Sequence, residues 1–558
     1  MSLLTIIFAL LLPSLTAEIS CGDNVRNRPV KLNGTVIAPG NDLVGIVIDS
    51  KTGKGIEGVP VTDGYKYVRT DRRGVYQMKA DSLCRNVYYS LPSAYKTAMA
   101  EDDVPVFYST EPIVKGMLNR NDFVLEPKTT DEEKWTLIGI SDPQAGSHDD
   151  LRRYTTETIP DIISTISAAN AGGRWLSPYA VTLGDIVFNT PELWQSERAA
   201  HAGIRMSDGR VMPVYQTIGN HDHDGGHTDY EGTQNYVDTF GPTDYSFNIG
   251  KAHILCFDDI WFNDVTDRGS YVCGITDRQY EWMKQDLDMV EDKANTLLIV
   301  CVHAPFGDAP GVQDYVHRSM HYEDMLKLFS EFHDAHILSG HTHYAMNYVH
   351  TDYPCRSGNP VYDHNEAAAC GLIWRPDCDV CVDGAPMGYY IYEIEGNEIV
   401  NWHLKATAHP LDYQMRVYDG NQIWQGNDGL QYSWYDSDIT PFYAKAQLQN
   451  SLVVTLWNGD FHNWKLELFV KGKKYGDLEP VPGETGDIVA YAFKYGDTWG
   501  TDILRHCQHY WYIKLPPEVL EDWEVVATQT VPSSKNLKNV YRCSTLQTDF
   551  SGFILERP

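Results

Sequence analysis

The sequence predicts an α/β core of layered sheets with helices outside, flanked by two β-rich domains. Three observations carry this. Between residues 134 and 405, apolar strand-like runs end in polar, glycine-containing loops, with helical patterns between them. On either side the chain turns to short strands broken by turn residues. Aromatic residues make up 12% of the chain, dominated by 35 Tyr and 14 Trp, a composition suited to pleated, half-buried surfaces. A length of 558 residues calls for two to four domains.

Residues 1–20 read as an export signal. Leu3 to Leu12 is apolar except for Thr5, Pro13 breaks the run, and Leu15-Thr16-Ala17 offers a small-residue cleavage site. The protein is therefore expected to be exported, periplasmic or extracellular. A membrane tether is expected only if Cys21 carries a lipid.

Residues 30–127 read as an Ig-like β-sandwich. Leu43 to Asp49 is a strand, Ser50 to Gly58 a glycine-rich turn, and Gly58 to Val61 starts the next strand. Val68 to Asp71 and Val75-Tyr76 flank a further turn. Nothing in this stretch carries chemistry, and its expected role is as a spacer or packing partner. In residues 134–405, the predicted strands Trp135 to Ile140, Tyr179 to Leu183, Val214 to Ile218, Leu297 to Val302 and Ala335 to Leu338 alternate with helical patterns. Those patterns cover Thr155 to Ala169, Asp277 to Val290 and Tyr322 to Phe332. Residues 406–558 return to short strands, among them Ser451 to Trp457 and Trp464 to Val470, and read as a second β-rich domain.

The net charge of −31 repels phosphate backbones and argues against nucleic acid as a structural partner. It leaves room for a small phosphorylated substrate, because bound cations reverse the sign inside one cleft. Of the 11 Cys, Cys256 and Cys301 fall in apolar strands and read as buried thiols. Cys355, Cys370, Cys378 and Cys381 cluster, and loop disulfides are the favoured reading over structural zinc.

The polar strand ends carry the chemistry. In order they are Asp142-Pro143-Gln144, Gly184-Asp185, Gly219-Asn220-His221-Asp222, His303 and Gly340-His341-Thr342-His343. In an α/β sheet, polar ligands gather at the carboxyl ends of strands. Carboxylate, amide and imidazole donors from five strand ends suit two first-row divalent metals. A carboxylate has two oxygens and bridges two such ions.

These five ordered blocks resemble the calcineurin-like metallophosphoesterase superfamily, with its D-x-H, G-D, G-N-H-D/E, H and G-H-x-H pattern. The three-part layout is similar to that of an exported bacterial group with an N-terminal Ig-like domain and a C-terminal β domain. The resemblance implies that Asp142, Gln144 and His343 bind a first metal and that Asp185 bridges. It implies that Asn220, His303 and His341 bind a second metal. His221 would act as general acid, with Asp222 orienting it. Gln144 departs from the pattern, since most members carry His there. A neutral amide oxygen favours Mn²⁺, with Zn²⁺ or Fe²⁺ as alternatives.

The function implied is hydrolysis of a phosphate ester by a binuclear-metal hydroxide. Two rivals are a glycan- or surface-binding protein with a decayed site and a metal-dependent protein phosphatase. His148, His223, His227, His403, His409 and His462 read as structural or solvated residues. The run ending in His509-Tyr510-Trp511 reads as core.

Overall fold

The computed structural model describes residues 30–548 apart from residue 203 and residues 263–270, 308–320, 375–378, 426–428, 435–447, 482–485, 491–508 and 516–520. The expected export signal, Cys21 and Cys378 lie outside the described residues.

Two sheets face each other at the centre. One has the order Val214–Thr217, Pro178–Leu183, Lys134–Ile140, Gly388–Glu395, Glu398–Ala406. Its first three strands run parallel and the last two close it antiparallel. The other has the order Tyr245–Ile249, Ala252–Cys256, Leu297–Cys301, Asp334–Ser339, Val361–Asn365, Met346–His350. Its four inner strands are parallel, with antiparallel edges. The Trp402 ring of the first sheet packs on His336, Tyr362 and His364 of the second, at 6.2, 5.9 and 5.0 Å. Leu297–Cys301 is buried at every position, which is why it reads as an unbroken apolar run rather than an alternation.

Helices cover the outside. Ile159–Ala171 lies on the Gly388–Ala406 hairpin, where Asp161 accepts from the Tyr389 hydroxyl at 2.8 Å and Lys405 Nζ at 2.7 Å. The helix expected from Thr155 begins instead as a π turn, Tyr154–Thr158, whose Tyr154 carbonyl accepts from Ile159 N. Pro160 has no N–H to give to the Thr156 carbonyl, so the regular ladder cannot form across it.

Residues 31–125 form a two-stranded ladder, Lys31–Leu32 with Thr35–Val36, and two small sheets, one centred on Leu43–Asp49 and one on Pro60–Thr62. Their apolar side chains join the same cluster as the central sheets. Tyr88 donates to the Asp244 carbonyl at 2.7 Å, and the Trp282 indole to Thr62 Oγ1 at 3.3 Å. Beyond residue 414 there are two four-stranded sheets. One is ordered Met415–Asp419, Ser451–Leu456, Tyr510–Lys514, Glu479–Pro480, the other Lys473–Asp477, Trp464–Val470, Trp523–Thr530, Lys538–Cys543.

Cys256 and Cys301 sit in register on neighbouring strands as buried thiols. Cys355, Cys370 and Cys381 are also buried free thiols. The disulfides favoured from their clustering therefore do not form among these three.

A further ion pair ties the loop after the helix Ile159–Ala171 to the first sheet. Glu393 accepts from Arg174 Nη2 at 2.6 Å and faces His403 Nε2 at 3.3 Å. Burial alone would raise the Glu393 carboxyl, but His403 and Arg174 hold it down to about 2. A folded value below the ordinary 4.5 means this stabilisation is complete above about pH 4.5 and is lost as the pH falls toward 2. Glu393→Gln is expected to lower stability at pH 7 by about 2–3 kcal/mol and to flatten the acid limb between these two values. Urea denaturation across pH 2–7 reads both effects.

Candidate metal centre

Both sheets bring the carboxyl ends of their parallel strands to one edge, and every predicted ligand is there. Asp142 and Gln144 follow Lys134–Ile140, Asp185 follows Pro178–Leu183, and Asn220 follows Val214–Thr217. From the second sheet, His303 follows Leu297–Cys301, and His341 and His343 follow Asp334–Ser339. Five of these residues adopt left-handed backbone: Asp142 (φ 45°), Gln144 (39°), Asp185 (50°), His341 (69°) and His343 (54°). Such positions cost about 1–3 kcal/mol each and persist where the surroundings over-determine them. The glycines beside the ligands serve close approach. A side chain at Gly219 would run into Asp185, and one at Gly340 into Ser141 and Asp142.

Asp185, Asn220, His303 and His341 converge on one point. Asn220 Oδ1 is 3.0 Å from both His303 Nε2 and His341 Nδ1, which are themselves 3.1 Å apart. His303 Nε2 is 3.3 Å from Asp185 Oδ1. His303 Nδ1 donates to the Leu183 carbonyl at 2.7 Å, so Nε2 points into the cluster. Burial opposes a charge on His303, yet the Asp185 carboxylate raises the ring to about 10. Burial and the charge of His303 push His341 down to about 3. Ring nitrogens, an amide oxygen and a carboxylate are thus crowded round one spot. The pocket demands one positive centre, and its donor set fits a divalent metal.

A second pocket adjoins it. Asp142 Oδ1 is buried, makes no hydrogen bond, and stands 3.3 Å from His343 Nε2. His343 Nδ1 donates to the Leu372 carbonyl at 2.8 Å, which again aims Nε2 inward. Burial works to raise Asp142 and Asp185, but His343 holds the first below the usual carboxylate range, and His303 and His221 hold the second there. Gln144 lies between the pockets. Its amide nitrogen donates to Asp185 Oδ2 at 3.1 Å, and its oxygen is 3.8 Å from Cys370 Sγ.

His221 sits at the rim with its backbone N–H on Asp185 Oδ1 at 2.8 Å. Its ring lies 4.3 Å from that of half-buried Phe188. Asp222 does something other than the expected orienting of His221. Its Oδ1 accepts from Ile186 N and Val187 N, and its Oδ2 from Gly219 N, at 2.8–2.9 Å. It staples two ligand loops to each other. Burial and the Asp185 charge push its carboxyl up to about 8, against these three amides.

Two more stapling carboxylates escaped the sequence reading. Asp259 accepts from His303 N and Ala304 N at 3.0 Å, and Asp363 from Phe306 N at 2.7 Å and Ser339 Oγ at 3.0 Å. The only sequence signal for either is an Asp at the end of an apolar or strand-like run.

Other polar side chains near these loops hold the backbone or one another. Asp150 accepts from Gly146 N and Ser147 Oγ at the start of the helix His148–Arg153. His223 is buried 3.3 Å from Asp258, and Asp224 accepts from Asn235. The Trp374 indole donates to the Pro143 carbonyl at 2.7 Å and so braces the Asp142–Gln144 loop.

No curated protein matches the chain. Among solved structures, the chain is similar to a purple acid phosphatase, PPD1, from yellow lupin (Lupinus luteus) seeds, with 14% identity and a TM-score of 0.32. That match covers 49% of this chain and 51% of the lupin chain, about half its length. It is also similar to a structure of PhoD, with 10% identity and a TM-score of 0.32, over 72% of this chain and 83% of that one. Family models are more direct. The model for calcineurin-like phosphoesterase matches residues 136–345, that for its N-terminal region residues 43–128, and that for its C-terminal region residues 363–531. The three matches follow one another in order over most of the chain, and the catalytic one spans Asp142 to His343: the chain belongs to the calcineurin-like phosphoesterase family.

Proposed function

We propose that this protein is an exported hydrolase of small phosphate esters that works with two divalent metal ions. The observation that carries the reading is the convergence of Asn220 Oδ1, His303 Nε2 and His341 Nδ1 within about 3 Å of one another beside Asp185. Asp185, Asn220, His303 and His341 would hold one ion. Asp142, Gln144 and His343, with Asp185 shared, would hold the other, and Mn²⁺ best suits a neutral amide ligand. Such ions would supply a water activated for attack at neutral pH and neutralise the phosphoryl oxygens.

The chain's own residues do the rest. The five residues in left-handed backbone, at three strand ends, fix the ligands before substrate arrives, so little reorganisation is spent during the reaction. His221 donates its proton to the leaving-group oxygen as the P–O bond breaks, an effect worth about 10²–10⁴ in rate. Phe188 packs on the His221 ring and limits its swing. The chain's charge of −31 is no obstacle, because the centre is locally positive when loaded.

With Mn²⁺ supplied, hydrolysis of p-nitrophenyl phosphate or bis-p-nitrophenyl phosphate is expected and EDTA is expected to abolish it. The preferred ester assigns monoester or diester chemistry. Asp185→Asn is expected to lose turnover together with bound metal, and near-wild-type turnover in that variant would sink the mechanism. His221→Ala is expected to keep its metal content while kcat drops by about 10²–10⁴. Asp222→Asn acts elsewhere. It leaves at least one loop amide without an acceptor and is expected to cost about 1–3 kcal/mol in chemical denaturation.

A further inference from the structure

The loop that carries His341 and His343 holds two residues in left-handed backbone, and something must pin it. Its entry is pinned by Asp142 Oδ2, which accepts from His341 N at 2.9 Å. Its exit is pinned by the turn 381–385. Val382 N donates to the His343 carbonyl at 3.1 Å, and Asp383 Oδ2 accepts from Ala345 N at 2.8 Å.

Asp383 is in turn gripped by the C-terminal sheet. His509 Nε2 lies 2.9 Å from the same Oδ2, and Ala385 N donates to Oδ1 at 3.0 Å. Asp383 and His509 are both buried. The far nitrogen of His509 meets Thr455 Oγ1 at 2.9 Å, inside the strand Ser451–Leu456. The ring is thus held at both nitrogens, by a carboxylate on one side and a hydroxyl on the other. The same turn is clamped twice more. Arg416 donates to the Gly384 carbonyl, and Gly384, at φ 83°, leaves no room for a side chain against Asp487.

We propose that Asp383 and His509 are a buried positioning pair through which the C-terminal sheet sets the His341–Thr342–His343 loop and, with it, the affinity of the pocket formed by Asp142 and His343. The proposal rests on the reading of that pocket as a metal site. Neither residue touches the reacting atoms. They act by fixing the backbone on both sides of Tyr344, and thereby the direction of the His343 lone pair. Residues that orient a ligand in this way are typically worth about 10–100-fold in metal affinity.

The test is Mn²⁺ binding to the full chain, followed by the EPR signal of free Mn²⁺, which needs no turnover. The wild type is expected to take up two ions. His509→Ala is expected to weaken one of them by about 10–100-fold and leave the other unchanged. At saturating Mn²⁺ its kcat is expected to return close to wild type. His509→Gln places a donor amide where Nε2 was and is expected to regain most of the lost affinity. Should His509→Ala fail to fold, Thr455→Val removes only the hydroxyl behind the ring. It is expected to weaken the same ion by about threefold, the size of one hydrogen bond. Wild-type affinity for both ions in His509→Ala, or no recovery in His509→Gln, overturns the proposal. So does unchanged affinity in Thr455→Val when that variant stands in. A wild-type chain that binds no Mn²⁺ would instead overturn the reading of the site itself.

Discussion

Two carboxylates, Asp142 and Asp185, are buried side by side where the central sheets meet, and the rest of the site follows from that burial. An ionised carboxylate taken out of water costs several kcal/mol unless it is paired. Here the partners are imidazoles and an amide whose acceptor atoms point at the same spot. Acceptors facing acceptors are repulsive until a positive centre lies between them. Asp185 accordingly raises the proton affinity of His303. A divalent ion answers the same demand more fully, since it satisfies several lone pairs at once. The left-handed backbone at five ligands is the conformational cost of aiming those lone pairs together.

Holding strained loops in place falls to a second set of carboxylates. Asp222 ties the Gly184-Asp185 loop to the Gly219-Asn220 loop, Asp259 ties the backbone of His303, Asp363 ties the loop after it, and Asp383 ties the exit of the His341-His343 loop. None of the four offers the pockets a free oxygen as a ligand would. Each spends its lone pairs on backbone amides that loops would otherwise leave unsatisfied in the interior. This division of labour separates the Asp residues that want a cation from those that want N–H groups.

It also explains what the sequence could and could not disclose. Metal chemistry restricts residue type, so Asp142, Asp185, Asn220, His303, His341 and His343 stood out as polar residues at the ends of apolar runs. The central strands were legible because burial on both faces leaves unbroken apolar runs, and Trp464–Val470 through its alternation. Leu43–Asp49 and Trp464–Val470 fall where the pattern put them, and most others within a residue or two. The stapling residues were not legible. An Asp bonded to backbone amides looks like any loop Asp, which is why Asp222 passed for a partner of His221. The bond between Asp383 and His509 joins positions 126 apart, and no local pattern encodes it. The π turn at Tyr154–Thr158 was legible in principle through Pro160, whose missing donor forbids the regular helix that the apolar periodicity suggested.

Gln144 gives the two pockets different characters. The pocket around Asn220 has two imidazoles already within about 3 Å of a shared amide oxygen, and a carboxylate 3.3 Å from one of them. The pocket around Asp142 has one imidazole, and where most family members place a second, it has an amide that turns its nitrogen to Asp185. An amide brings no charge and one donor atom, and it does not push as much electron density toward a metal as an imidazole does. The pocket around Asp142 therefore depends more on how well its remaining ligands are aimed. Its imidazole, His343, is on the loop whose backbone is gripped from the far side by the C-terminal sheet. A ligand set weakened at Gln144 gains most from rigid placement of His343. On this argument the C-terminal sheets are part of the centre's architecture and not an appendage to it.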